Sequence, residues 1–127
     1  MSIARKSILV AGLGRYGPAT SSSVNIEKAQ ADLSKAKMNG FDCSLSEVNP
    51  DDVSGTLAMV KETLRSKQWD GFVIGYGVRG LKEYTVLFEE IVNAAREITP
   101  GTKLIFSNAP DGVFEAIRRA FPDAIEK

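Results

Sequence analysis

The chain has 127 residues, 43% hydrophobic and 25% charged, a globular balance with room for one core and not for two domains. Its 16 Lys and Arg match its 16 Asp and Glu, and no cationic run exceeds Arg5–Lys6 or Arg118–Arg119, so no nucleic-acid partner is expected. Histidine is absent and Cys43 is the single cysteine, which removes imidazole bases, histidine metal ligands and an internal disulfide.

Proton transfer, if the chain is an enzyme, falls to carboxylates, tyrosine, lysine, Cys43 or water. No metal and no cofactor are expected. No run of about 18 apolar residues exists, and Met1–Ser7 is polar. These two features predict a cytoplasmic chain with no membrane contact.

The first strand is Ser7–Leu13, a near-continuous apolar run of the kind buried on both faces. A long loop, Gly14–Val24, follows. Asn25 is a good cap for a helix from Ile26 to about Met38, with Ile26, Ala29, Leu33 and Ala36 at helical spacing and Asn39-Gly40 as its stop. The second strand, Phe41–Val48, alternates. Cys43 and Leu45 point one way and Asp42, Ser44 and Ser46 the other, as on an edge strand with one wet face. Asn49-Pro50-Asp51-Asp52 reads as a helix start capped by Asn49, with Val53, Leu57, Val60 and Leu64 as the buried stripe.

Trp69 precedes the third strand at the bottom of the sheet, where packing is its expected role. Asp70-Gly71 opens that strand, Phe72–Tyr76. After the loop Gly77–Tyr84, Thr85 caps a helix to about Ile98 whose inner face is Leu87, Ile91, Ala94, Ala95 and Ile98. Pro100-Gly101 breaks the chain before the fourth strand, Lys103–Ser107. Asn108 or Asp111 caps a last helix with Val113, Ile117 and Ala120 or Phe121 inside, limited by Pro122.

Strands alternating with helices at this spacing imply parallel pairing by right-handed crossovers. The apolar first and third strands are central and the other two are edges. The expected architecture is a single doubly wound α/β domain over residues 1–127, with a parallel four-stranded sheet of order 2-1-3-4, flavodoxin-like or Rossmann-like. Its switch point lies between strands 1 and 3. The bordering loops, Gly12–Ser23 and Gly75–Glu83, are also the two glycine-rich stretches.

Gly12-Leu13-Gly14-Arg15-Tyr16-Gly17 spells G-x-G-x-x-G directly after a strand, the pattern that lets backbone approach a pyrophosphate. Pro18 and the run Ala19–Val24 separate it from its helix, and Glu47, the acid ending strand 2, lies too far along the chain for a ribose partner. A dinucleotide site, a looser anion or polar-ligand cradle with hydroxyls from Thr20–Ser23, and a plain flexible bend all remain open. In the second loop Arg79 stands between Gly77 and Gly80, where it either clamps a carboxylate or phosphate or pairs with Glu83 or a backbone carbonyl. The candidate ligand-binding residues are Gly12, Gly14, Arg15, Tyr16, Gly17, Gly77, Arg79 and Asn108. Tyr76 and Glu83 are the candidate proton carriers.

The favoured function is a small-molecule enzyme or binding protein holding a polar or anionic ligand between these loops. One alternative is a non-catalytic homo-oligomeric module that associates through an edge strand or the face around Phe88, Phe114 and Phe121. Another is a nucleotide or dinucleotide domain. The segment Gly71–Pro110, with Gly-Val-Arg-Gly, Leu-Phe-Glu-Glu-Ile-Val-Asn and Ile-Phe-Ser-Asn-Ala-Pro, resembles an uncharacterised family of short flavodoxin-like α/β proteins from bacteria and fungi. The resemblance implies the fold and no activity.

Overall fold

A computed structural model of the protein describes residues 5–16, 23–109 and 111–124, excepting the side chains of 15, 23–26 and 124. β1 (Lys6–Gly12) and β3 (Gly71–Ile74) form the middle of the sheet, because their apolar runs can be covered from both sides. β2 (Phe41–Glu47) and β4 (Lys103–Phe106) are the edges. All pairs are parallel and the order is β2-β1-β3-β4. The expected α/β architecture is therefore the one adopted.

Helices α1 (Ser23–Met38) and α5 (Val113–Ala120) cover one face, while α2 (Val53–Arg65) and α4 (Thr85–Ile98) cover the other. A four-residue helical turn, α3 (Tyr76–Arg79), follows β3. The first face buries Ile8, Val10, Phe41, Val73, Ile105, Phe114 and Ile117. The second buries Leu9, Ala11, Val60, Leu64, Phe72, Ile74, Val78 and Ile91. Fully burying one such side chain contributes on the order of 1.5–3 kcal/mol. Trp69 packs into the second core, as expected, and donates from Nε1 to the Thr63 carbonyl at 3.0 Å.

Several local expectations are corrected. α1 begins at Ser23, so Asn25 lies inside it rather than at its cap. Asn49 does not cap α2. Its Oδ1 accepts from the Asp51 N–H at 3.0 Å and forms a turn, while Asp52 is the cap, accepting from the Gly55 N–H at 3.0 Å. Thr56 takes the buried position given to Val53, which is 38% exposed.

In β2 the burial is reversed near its end: Leu45 is 52% exposed and Ser46 only 5%. Ser46 pairs with Ala11 and so faces the α2 side, where a helix covers it. Leu45 faces α1, beside Gly12, which has no side chain to lay over it. The Ser46 hydroxyl is buried without a hydrogen-bond partner among the described residues.

Neither Asn108 nor Asp111 caps α5. Gly112 occupies the cap position with no side-chain bond. The carboxylate of Asp32, on α1, accepts instead from the Phe114 N–H at 2.9 Å. A helix 82 residues earlier thus satisfies the start of α5 and ties the two helices of that face together. The aromatic face proposed for association is also largely spent on packing. Phe114 is 4% exposed, Phe88 lies against Phe106 with ring centres 5.8 Å apart, and Phe121 lies against Phe41 at 6.3 Å.

Candidate functional site

The registers Ala11 to Ile74 and Ile74 to Phe106 set Gly12, Gly75 and Ser107 side by side just beyond the strand ends. From there β1 leads to α1 on one face and β3 to α4 on the other, the divergence that defines a switch point.

In the first loop, the Gly12 carbonyl accepts from the Val48 N–H at 2.7 Å, which holds the end of β2 against β1. Gly14–Tyr16 makes one 3-10 turn, closed by the Tyr16 N–H on the Leu13 carbonyl at 2.8 Å. Gly14 has φ +52°, and the Glu47 carboxylate fills the space its Cβ would need. Glycine is required here for conformation and for close approach alike. The sheet register explains the approach, since Glu47 pairs with Gly12. Separation along the chain therefore does not keep Glu47 from the glycine loop. Tyr16 is half-buried; Gly17, Pro18, the run Ala19–Ser22 and the side chain of Arg15 lie outside the described residues.

The second loop meets the first just beyond the strand ends. The Gly75 N–H donates to the Ala11 carbonyl at 2.8 Å. A Cβ at Gly77 would lie 3.0 Å from Leu13 Cδ1, so the absence of a side chain at Gly77 lets the loops touch. Val78 beneath them is fully buried. The two loops are in contact, and apolar packing fills the space directly between them.

Polar chemistry collects on the β3–β4 side. Ser107, 1% exposed, is the hub. Its hydroxyl accepts from the Tyr76 N–H at 3.2 Å, and its carbonyl accepts from the Arg79 guanidinium at 3.1 Å. The guanidinium carbon also lies 5.4 Å from the centre of the Tyr76 ring and 6.0 Å from that of Phe106. Arg79 and Tyr76 remain exposed. No carboxylate pairs with Arg79 among the described residues, Glu83 included. Of the uses foreseen for Arg79, the backbone carbonyl is the contact made.

Glu83 is exposed in the 3-10 turn Lys82–Tyr84, beyond α3. Asn108 is exposed, and its Oδ1 sits over Gly112, 2.8 Å from where a Cβ would stand. The structure thus unites Gly12, Gly14, Tyr16 and Gly77 around the loop contact, and Tyr76 with Arg79 beside Ser107. Ser107 was not singled out from sequence, although its place directly after a strand in an α/β domain was the available signal.

Two surface troughs lie elsewhere. One of about 630 Å³ runs along α2 past Leu57, Lys61 and Arg65, and one of about 200 Å³ lies between α2 and α4. Both follow solvated helix faces away from the strand ends. No group of three or more His, Cys, Asp and Glu side chains is placed to hold a metal among the described residues. Among them, no helix is long and apolar enough to cross a membrane. No family model matches the chain, and no curated protein matches it.

Proposed function

We propose that the protein binds a small anionic molecule at the C-terminal ends of β3 and β4, with Arg79 as its anchor. The observation that carries this reading is the state of that arginine. Its charge is exposed, unpaired among the described residues, and held by the Ser107 carbonyl and the Tyr76 ring. An arginine so fixed loses little side-chain freedom when an anion arrives, and its fork geometry suits carboxylate and phosphate. Tyr76, whose ring lies beside the guanidinium, is the first candidate to carry a proton there. Glu83 is the second candidate.

The test is equilibrium binding of pyrophosphate and citrate to the wild type and to Arg79→Ala. A charge-assisted bond is worth roughly 1.5–3 kcal/mol, so the variant is expected to bind at least about tenfold more weakly. Equal affinity in both proteins removes Arg79 from the site.

A second reading, self-association, is supported by Leu45, 52% exposed on an edge strand, and by Met38, 87% exposed at the end of α1. Light scattering across concentration separates the two. A strict monomer at high concentration rejects it.

A further inference from the structure

We infer that the protein pairs with a second copy of itself along the free edge of β2, antiparallel, with the two-fold axis beside Ser44. The inference rests on the self-association reading above and names its surface and geometry. The Val48 N–H donates to the Gly12 carbonyl and the Lys6 N–H to the Gly40 carbonyl. Backbone groups alternate sides along a strand, so Asp42, Ser44 and Ser46 also turn theirs to β1. Phe41, Cys43 and Leu45 then turn their N–H and C=O groups outward. These groups have no hydrogen-bond partner among the described residues.

The other edge of the sheet is guarded. β4 has four residues where β2 has seven. Its Lys103 and Ser107 N–H groups donate toward β3, so Phe106 faces outward, and the Arg119 guanidinium donates to the Phe106 carbonyl at 3.0 Å. Lysine, proline and bulges are the common guards of a bare edge. β2 contains no Lys or Pro, and its register with β1 runs unbroken from Phe41 to Glu47. Arg5, the cation beside its start, is paired with Asp42 at 2.8 Å. Ser44 and Leu45 are exposed on its two faces, so neither is covered by a helix.

Charge selects the partner and the direction. The start of β2 is basic: the Arg5 hydrogen bond lowers the Asp42 carboxyl below its ordinary value, and the nearby charges of Lys37 and Lys67 add to this. The end of β2 leads to Asp51 and Asp52, both exposed and without a cation paired to them among the described residues. An antiparallel pair lays the basic end of each copy beside the acidic end of the other, whereas a parallel pair lays like on like. The register centred on Ser44 overlaps the two strands over all seven residues. It sets the exposed Leu45 of each copy opposite the half-buried Cys43 of the other, and Ser44 opposite Ser44. No charged side chain of the strand then stands opposite one of its own sign.

Sedimentation equilibrium of the wild type, Leu45→Pro and Leu45→Lys tests this, together with disulfide trapping of Ser44→Cys in a Cys43→Ser background. A proline at position 45 removes only an outward N–H, so the monomer keeps its ladder to β1. The wild type is expected to dimerise, and both Leu45 variants to dimerise at least about tenfold more weakly. Residues directly opposite in a non-hydrogen-bonded antiparallel pair have Cα atoms about 4.5 Å apart, within disulfide reach. Ser44→Cys is therefore expected to form a covalent dimer on mild oxidation. Unchanged dimerisation in the Leu45 variants, or no trapping at position 44, overturns this surface and leaves self-association standing. A wild type that stays monomeric at millimolar concentration overturns both. Trapping decides the matter even if the Leu45 variants fail to fold, because Ser44 is exposed.

Discussion

Asp32→Ala removes the tie between α1 and α5, and its cost follows from what the carboxylate touches. The Phe114 N–H, donated to Asp32 at 2.9 Å, loses its partner while its residue stays 4% exposed. An unsatisfied buried donor costs about 1–3 kcal/mol, and a lost helix cap costs about 1. The two estimates describe the same loss, which gives about 1–2 kcal/mol. A domain of 127 residues unfolds with an entropy of roughly 0.27 kcal/mol/K, so the melting midpoint should fall by about 4–8 °C. Asp32→Asn keeps an acceptor oxygen and should cost less than half of that.

The pH dependence has a definite sign. Burial pushes the Asp32 carboxyl above its ordinary 3.8, and the backbone N–H groups of Phe114 and Val113 offset this only in part. The folded chain thus holds this proton more tightly than the unfolded chain. The stability this contributes is complete below 3.8 and is lost as pH rises through the folded value. Asp32→Asn carries no such group and should gain on the wild type as pH rises from about 4. Thermal melts of the three proteins from acid to neutral pH measure both effects. An Asp32→Ala midpoint within about 1 °C of wild type, or a wild type that gains on Asp32→Asn over that range, refutes the reasoning.

Three further outcomes are expected. Ser46→Ala deletes a buried hydroxyl that has no partner among the described residues, and should stabilise the fold by about 1 kcal/mol, read as a higher denaturation midpoint. Gly14→Ala must take a left-handed φ and displace the Glu47 carboxylate, and should cost at least about 1–2 kcal/mol by chemical denaturation. Cys43 is half-buried, and desolvation followed by repulsion from Asp42 pushes its thiol from 9.0 to about 11. Its thiolate fraction at pH 8 is then about 100-fold below that of the unfolded chain, and iodoacetamide should label the folded protein more slowly by at least that factor.

The fold was legible because local and global signals agree. Ile8–Ala11 and Phe72–Ile74 are apolar runs suited only to the centre of a parallel sheet, and they occupy it. The inner face of α4, Leu87, Ile91, Ala94 and Ala95, follows from helical spacing alone. The misread details depend on partners distant in sequence. The cap of α5 comes from Asp32, and no local pattern near Asn108 or Asp111 announces it. Alternation in β2 separates two faces, yet which face is covered at Leu45 and Ser46 depends on Gly12 on one side and α2 on the other.

The same holds for the candidate site. Glycines at a switch point drew attention to the two loops, and the polar cluster lies beside them at the ends of β3 and β4. The work of the glycines is to let Glu47 approach Gly14 and Leu13 approach Gly77. Chain separation set Glu47 aside, whereas parallel register returns it to the loop. Ser107 had no motif of its own and is recognised only through the two bonds it accepts.

The central claim is that an anion is held at the ends of β3 and β4 by Arg79. A titration of 15N-labelled wild-type protein with pyrophosphate, read by amide chemical shifts, tests the place directly. Saturable shifts confined to Gly75–Gly80 and Ser107 are predicted. Shifts concentrated along α2 and α4, or none up to millimolar concentrations, would contradict it.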